Sequence, residues 1–353
     1  MNVGSSSAAS LYAEANGGTI NLSGGGTINL NNASSFLKGY YGNETLVNKD
    51  NLIQGQGLIY QLGSFRNGGT VDANVAGGTL SISSALTTNT GTLRADAGAT
   101  LSLVNTTLTN FASSGATAGT LTGGTYAVYS GTLSFNNGGF SNDIVTNAAN
   151  ILLDGTSGAP KFIDQNGNNA LQKLTTNAAT GMLTIQNGAN LTVGATTGFT
   201  NAGSLNIGST STLTVGGGNN FIQTSTGILS LQIGGSSPGN GYSQLVATGS
   251  ANLDGTLNLS LINGFKPYNG EQFVILTSSD LNGDFSTVNG LQDGNVTFTV
   301  AYSPPGYAND VVLDAQVSSS AVPEPASWLM LGLGLTAVGT CVVRKSRNQV
   351  RGK

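Results

Sequence analysis

The sequence predicts an all-β protein: an elongated parallel β-helix (solenoid) with a β-rich C-terminal cap, followed by a single C-terminal transmembrane helix. Three observations carry this prediction. A short strand-like unit recurs through residues 18–235, glycine supplies 53 of 353 residues while charged residues make up only 8%, and one long apolar run lies near the C-terminus. Low charge combined with many β-branched residues favours sheets and turns over disorder.

The recurring unit reads Gly-Thr-apolar-polar-apolar, the pattern of a short strand that starts at a turn and points alternate residues inward. Leu183 and Leu205 are 22 positions apart, and Leu205 and Leu229 are 24 apart. A spacing of this length is typical of a β-helix coil with two or three strands, so we expect these three leucines to stack in one column. Examples of the unit lie at residues 18–22, 26–30, 78–82, 98–103, 131–135, 181–185, 203–207 and 227–231.

An antiparallel sandwich is the rival fold. Asn-Gly pairs such as Asn67-Gly68 and Asn187-Gly188 suit two-residue hairpins. The long fixed period favours the solenoid, because a sandwich has no reason to keep one. Residues 31–66 and 136–180 fit the repeat poorly, and we expect an irregular coil in the first and a protruding insertion in the second.

The chain divides into five parts by composition and by predicted strand length. Residues 1–235 carry the repeat, and residues 236–317 carry longer strands and more aromatic residues, as expected of a cap that covers the last open coil. A small-residue linker occupies 318–325, the predicted transmembrane helix 326–343, and a basic cytoplasmic tail 344–353.

Eighteen uncharged residues at 326–343 give a helix of about 27 Å, close to the hydrocarbon thickness of a bilayer. Basic residues after such a helix place the C-terminus in the cytoplasm.

This C-terminal segment resembles the PEP-CTERM sorting signal of Gram-negative bacteria. A Pro-Glu-Pro motif, an apolar helix rich in Gly and Leu, and a basic stop follow one another in that family's order. The motif is Val322, Pro323, Glu324 and Pro325; the membrane anchor is Trp328, Leu329, Leu331, Leu333 and Leu335; the basic stop is Arg344, Lys345 and Arg347.

The resemblance implies an exosortase-type processing enzyme as a partner. It also implies an inner-membrane intermediate held by the C-terminal helix, then release to the cell surface or the extracellular matrix. Residues 253–285 are similar to the end of autotransporter passenger domains. Because the first residues lack the basic and apolar regions of a signal peptide, we expect Met1 to be an internal start.

Composition points away from the common site chemistries. The chain has no histidine, and its one cysteine, Cys341, lies in the apolar run. We therefore predict no metal site, no cofactor and no catalytic residue. The seven cations before Arg344 are scattered, so nucleic acid is not expected as a partner. Asp143, Asp154 and Asp164 are predicted to be solvated turn residues, and the loop at Asp164 does not have the spacing of a calcium loop.

Two functions remain open from the sequence. The favoured one is a non-catalytic, adhesin-like surface or matrix protein, associated with extracellular polysaccharide or biofilm, because the resembling family is linked with exopolysaccharide producers. The alternative is a secreted β-helix polysaccharide lyase or hydrolase. That enzyme would depend on carboxylates such as Asp154 or Asp164.

Overall fold

The computed structural model describes residues 1–4, 7–135 and 143–318, and these residues form strands and turns without a helix. In chain order the strands are β1 (Asn2–Val3), β2 (Ser10–Ala13), β3 (Thr19–Leu22), β4 (Thr27–Gly39), β5 (Thr45–Asn48), β6 (Leu52–Tyr60), β7 (Ser64–Asn67), β8 (Thr70–Ala73), β9 (Thr79–Ser83), β10 (Leu86–Asn89), β11 (Thr92–Ala95), β12 (Thr100–Leu103), β13 (Thr107–Leu108), β14 (Phe111–Ala112), β15 (Thr120–Tyr129), β16 (Thr132–Phe135), β17 (Thr146–Asp154), β18 (Lys161–Asp164), β19 (Thr176–Asn177), β20 (Met182–Gln186), β21 (Leu191–Val193), β22 (Phe199–Asn201), β23 (Ser204–Ile207), β24 (Thr212–Val215), β25 (Phe221–Gln223), β26 (Ile228–Ile233), β27 (Gln244–Ala247), β28 (Ser250–Asn252), β29 (Thr256–Leu261), β30 (Glu271–Thr277), β31 (Asp280–Asn282), β32 (Thr287–Asn289), β33 (Gln292–Asp293), β34 (Val296–Tyr302) and β35 (Val311–Val317).

The first face is a ladder of parallel strands in which each strand pairs with its equivalent one coil later. Leu183 pairs with Leu205, Leu205 with Leu229, and Leu229 with Leu257. The predicted stacking of Leu183, Leu205 and Leu229 is therefore confirmed. In chain order the strands of this face are β1, β4, β6, β8, β11, β15, β17, β20, β23, β26, β29 and β32.

Two further parallel faces complete each coil. The second face holds β2, the C-terminal parts of β4 and β6, then β9, β12, β16 and β18, followed by β21, β24, β27 and β30. The third face holds β3, β5, β7, β10 and β13, then the N-terminal parts of β15 and β17, then β19, β22, β25, β28 and β31. Parallel pairing between successive coils is the pattern of a solenoid and not of a hairpin sandwich.

Residues 31–66 do not form the irregular coil predicted for them. Strands β4 and β6 run from the first face onto the second, and their pairing is interrupted only between Asn31 and Phe36. Gly55 allows β6 to make the same passage: its φ is +115°, and a Cβ there would lie 2.0 Å from the carbonyl oxygen of Leu30. Glycine is the residue that tolerates both conditions.

The insertion predicted for residues 136–180 is also wrong where the structure describes it. Strands β17 and β18 pair in register with β15 and β16 of the preceding coil. The coil continues into β19, which pairs with β17. Residues 143–180 are therefore part of the regular stack, whose coils simply lengthen at their turns.

The core is a narrow column between the three faces. Inward residues such as Leu80, Leu101 and Leu133 are fully buried and lie one above another in register. Phe199 and Phe221 stack on the third face with ring centroids 6.4 Å apart. Each such side chain contributes about 1.5–3 kcal/mol through burial, so stability is distributed along the stack.

Parallel pairing continues past residue 235, through β27, β28 and β29 to β31 and β32. Antiparallel pairing replaces it where β30 meets β35, β35 meets β34, and β34 meets β33. These strands use the open edge of the second face. The change from parallel to antiparallel pairing occurs after residue 235. The division of the chain at residue 235 stays a prediction.

No helix in the described part of the chain has the length and apolarity needed to cross a membrane. The predicted transmembrane helix at 326–343 and the basic tail at 344–353 lie outside the described residues.

Candidate functional site: an exposed tyrosine surface

Parallel register on the second face gathers aromatic side chains that are far apart in sequence. Tyr12 of β2 pairs with Lys38 of β4, and Lys38 pairs with Tyr60 of β6. Inward neighbours on the same strands, such as Leu37 and Ile59, are buried in the core. The alternation of a strand therefore directs Tyr12, Lys38 and Tyr60 outward, one coil apart.

Further aromatic residues extend this row. Tyr40 packs edge-to-face against Tyr12 at a centroid distance of 5.8 Å and against Tyr41 at 4.9 Å. Phe36 packs against Tyr60 at 5.2 Å. Tyr12, Tyr40 and Tyr41 keep 50%, 54% and 49% of their surface exposed. We call the set of Tyr12, Phe36, Lys38, Tyr40, Tyr41 and Tyr60 the tyrosine surface.

Lys38 gives the tyrosine surface a positive centre. Its Nζ lies 4.7 Å from the ring centroid of Tyr12 and 5.5 Å from that of Tyr60, and donates a hydrogen bond to the Tyr60 hydroxyl at 3.3 Å. Hydrogen bonds with Tyr12 and Tyr60 raise the pKa of the Lys38 ammonium. The lysine is therefore held charged by ring faces and hydroxyls.

This arrangement suits a ligand with both apolar and polar faces. Tyrosine rings offer rigid apolar area, and their hydroxyls form hydrogen bonds at the rim. Sugar rings present C–H groups on one face and hydroxyls around the edge, so they can stack on a tyrosine while a hydroxyl or carboxylate meets the ammonium. The surface was missed in the sequence because residues 31–66, which contain most of it, were assigned to an irregular coil. Coil-length spacings between Tyr12, Lys38 and Tyr60 were the available signal.

A buried amide ladder supports the coils behind this surface. At the corner between the third and first faces, Asn48 Nδ2 donates to Asn67 Oδ1 at 2.9 Å, and Asn67 Nδ2 donates to Asn89 Oδ1 at 3.0 Å. All three side chains are buried. The hydrogen bonds favour one register of successive coils, because each buried amide bonds its equivalent one coil away as well as backbone carbonyls.

A second ladder continues in the later coils. Asn147 donates to Asn177 at 2.9 Å, Asn177 to Asn201 at 2.8 Å, and Asn201 to Oε1 of Gln223 at 2.8 Å. Each Asn also donates to a backbone carbonyl of the next coil, for example Asn177 to Ser204 at 3.0 Å. In sequence the available signal was an Asn followed by a Gly two to four residues later, which holds at Asn67, Asn89, Asn177 and Asn201.

The carboxylates that an enzyme would need are engaged in turns. Asp154 accepts hydrogen bonds from the amide and hydroxyl of Thr156 and from the side chains of Gln186 and Asn187, which outweigh burial and lower its pKa. Asp164 accepts from the backbone N–H groups of residues 166 and 168. Asp143 forms an ion pair with Lys173. The prediction that these residues are solvated is wrong, because Asp143, Asp154 and Asp164 keep only 7%, 4% and 6% of their surface exposed. Asp154 and Asp164 do accept hydrogen bonds within turns.

One cluster of charges was not predicted. Arg94 donates to both oxygens of Asp96 at 2.6 and 2.9 Å, lies 3.6 Å from Asp72, and stacks on the ring of Tyr129 at 4.7 Å. Asp72 is only 5% exposed. Burial, together with the negative charge of Asp96, raises the pKa of Asp72 to about 6 despite the guanidinium. Arg94 partly neutralises the two carboxylates, and its contact with Asp72 connects neighbouring coils.

Metal ligation has no candidate in the described part of the chain, where no three His, Cys, Asp or Glu side chains group closely enough to hold an ion. The loop at Asp280 makes its own side-chain hydrogen bond, from Asn282 at 3.0 Å.

The predicted sorting residues lie beyond Ser318 and therefore outside the described residues. Comparison with known proteins addresses them directly. No curated protein matches the chain. Residues 321–345 match the family described as the PEP-CTERM protein-sorting motif, which covers the Pro-Glu-Pro segment, the apolar run and the first basic residues. This chain therefore carries a PEP-CTERM sorting signal, the mark of an exported protein that an exosortase sorts to the cell surface or the extracellular space.

Proposed function

We propose that the protein is a non-catalytic, adhesin-like component of the cell surface or extracellular matrix that binds extracellular polysaccharide. The tyrosine surface carries this proposal. Lys38 lies over the rings of Tyr12 and Tyr60, and Tyr12 joins Tyr40 and Tyr41 in a row of three tyrosines that are each about half exposed. Exposed apolar area of this kind is typical of an interaction site.

The architecture supports a binding role. A solenoid presents equivalent side chains at intervals of about 4.8 Å, the separation of neighbouring strands. A polysaccharide also repeats its chemical groups along an extended line. Many weak contacts along such a line give strong overall attachment through multivalency, without any single tight pocket.

Delivery follows from the sorting signal. In this proposal the apolar run at 326–343 holds an inner-membrane intermediate, and an exosortase-type enzyme processes the chain near Pro323 to Pro325. The body of the protein then becomes part of the polysaccharide layer. Asp154 and Asp164 accept hydrogen bonds from neighbouring protein groups, which favours this role over the lyase or hydrolase alternative.

Affinity electrophoresis in gels containing the producing bacterium's own exopolysaccharide tests the proposal. We expect the full-length protein to be retarded, and the double substitution Tyr12→Ser/Tyr41→Ser to weaken binding about tenfold, because each aromatic contact is worth about 0.5–1.5 kcal/mol. Tyr268→Ser is the matched control, since Tyr268 is 69% exposed but lies in a turn remote from the tyrosine surface.

Two results would contradict the proposal. The first is that the exopolysaccharide does not retard the wild-type protein at any salt concentration. The second is that the double variant and Tyr268→Ser behave alike while far-UV circular dichroism shows both to be folded. Release of reducing ends from the polysaccharide would instead support the alternative function, a polysaccharide lyase or hydrolase.

A further inference from the structure

We propose that a cleft on the third face binds anionic sugar residues, through Lys49 and Arg66. This inference rests on the proposed association with polysaccharide and names the class of sugar that the protein selects: sugars that carry a carboxylate, such as uronic acids. The cleft is separate from the tyrosine surface, which lies on the second face.

The cleft is formed by the outward row of the third face. Val47, Arg66 and Thr88 pair in register on β5, β7 and β10. Residues of the following turns, Lys49 and Thr90, form one side. The cleft is open to solvent and has a volume of about 550 Å³, within the range of small-molecule binding sites.

The two cations in the cleft have no carboxylate partner among the described residues. Arg94 pairs with Asp72 and Asp96, and Lys173 pairs with Asp143, but neither Lys49 nor Arg66 forms an ion pair in the part of the chain that the structure describes. Both side chains are exposed.

The carboxylate adjacent in sequence, Asp50, is engaged elsewhere. Its two oxygens accept hydrogen bonds from the backbone N–H groups of Gly24 and Gly25, at 3.2 and 3.1 Å respectively. Two of the seven cations before Arg344 thus line one cleft in a chain whose formal net charge is −4. Their charges are available to a ligand.

Hydroxyl groups complete a surface suited to sugars. Thr88 and Thr109 lie one coil apart on the same row, and their Oγ1 atoms form a hydrogen bond of 2.7 Å. Hydroxyls can donate and accept, which matches sugar hydroxyls, and the Arg66 guanidinium can donate two parallel hydrogen bonds to one carboxylate.

Coils about 4.8 Å apart are spaced close to the length of one sugar unit in an extended polysaccharide. An acidic polysaccharide aligned with the stack would place successive units opposite successive coils.

Local charge must overcome the acidic character of the body. At about 0.15 M salt the Debye length is about 8 Å, so distant carboxylates are screened while contacts within the cleft persist. Binding therefore depends on the two cations at the site and not on the net charge of the chain.

The test uses the full-length protein in affinity gels at about 0.15 M salt, containing polygalacturonate, the neutral polysaccharide dextran, or no polymer. We expect polygalacturonate to retard the protein more strongly than dextran. Lys49→Gln/Arg66→Gln should weaken that interaction at least tenfold, through loss of charge-assisted hydrogen bonds. Lys161→Gln/Lys266→Gln is the matched control: it removes the same charge from exposed positions outside the cleft and should bind like wild type.

Each remaining outcome counts against the inference. Equal weakening in the two double variants would show that net charge, not the cleft, controls binding. Competition by soluble polyglutamate as effective as that by galacturonate oligomers would show that the cleft selects anions and not sugars. If the bacterium's own exopolysaccharide retards the protein but polygalacturonate does not, the inference is wrong and the proposed function stands. If neither retards it, both are wrong.

Discussion

Replacing Asn177 by Ala should destabilise the coils far more than an ordinary polar substitution. The Asn177 side chain donates to Asn201 at 2.8 Å and to the Ser204 carbonyl at 3.0 Å, and accepts from Asn147 at 2.9 Å. Each net hydrogen bond is worth about 0.5–1.5 kcal/mol, so losing three removes about 1.5–4.5 kcal/mol.

An additional cost arises because Oδ1 of Asn201 then loses the ladder donor it has at that site. An unsatisfied buried polar atom costs about 1–3 kcal/mol, although the small cavity left by Ala can relax or admit water. We therefore expect a loss of about 3–5 kcal/mol in the free energy of unfolding of the surrounding coils.

Urea denaturation followed by far-UV circular dichroism measures this loss, and hydrogen exchange of the amides in β19 to β22 localises it. Asn206→Ala is the matched control. Asn206 faces outward, is half-buried, and donates a single hydrogen bond of 3.1 Å to Thr184, so its loss should cost less than about 1 kcal/mol. Equal shifts of the urea midpoint in the two variants would refute the view that the ladder stabilises the stack.

The remaining predictions concern charge and backbone. Because the pKa of Asp72 is raised to about 6, the folded state binds this proton more tightly than the unfolded chain does. The stability gained from the bound proton is full below about pH 4 and is lost as the pH rises through 6. Asp72→Asn should therefore stabilise the protein at pH 7 by about 1 kcal/mol, allowing for solvent screening, and change little at pH 4. Gly55→Ala should lower stability by about 2–4 kcal/mol, since its Cβ would meet the Leu30 carbonyl oxygen. Gly77→Ala, with positive φ but open space, should cost only about 1–2 kcal/mol.

Thermal unfolding at the two pH values checks the first of these, and urea midpoints check the second. A loss of stability in Asp72→Asn at pH 7 would mean that the attraction between Asp72 and Arg94 outweighs the cost of burying the charged carboxylate. Equal costs for the two glycine substitutions would mean that backbone conformation alone decides, without the close approach to Leu30.

The periodic part of the fold was accessible from the sequence because inward leucines recur at nearly constant intervals. Leu183, Leu205 and Leu229 specify their own stacking, since a coil of constant length must bring equivalent residues together. The same argument failed for β4 and β6, because β4 continues beyond its Gly-Thr unit onto the next face and β6 lacks that unit. Local pattern does not distinguish a long bent strand from an irregular loop.

The candidate sites depended on information that a linear pattern lacks. Tyr12 and Tyr60 are 48 positions apart, and only the coil register places both beside Lys38. Asn67, in an Asn-Gly pair, was ambiguous between a hairpin turn and a corner; the partners on the neighbouring coils decide it. The sorting segment was the opposite case, because its three parts lie side by side in the chain and identify it without any tertiary structure.

The number of stacked coils determines how far the tyrosine surface lies from Ser318, the last described residue. The first face stacks twelve strands from β1 to β32, a height of about 50 Å at the usual strand separation. The chain leaves the described body at Ser318, beside the last coils, whereas Tyr12 belongs to the first. If the proposed function is right, a protein still attached through its C-terminal segment would meet polysaccharide with the opposite end, and the number of coils sets its reach.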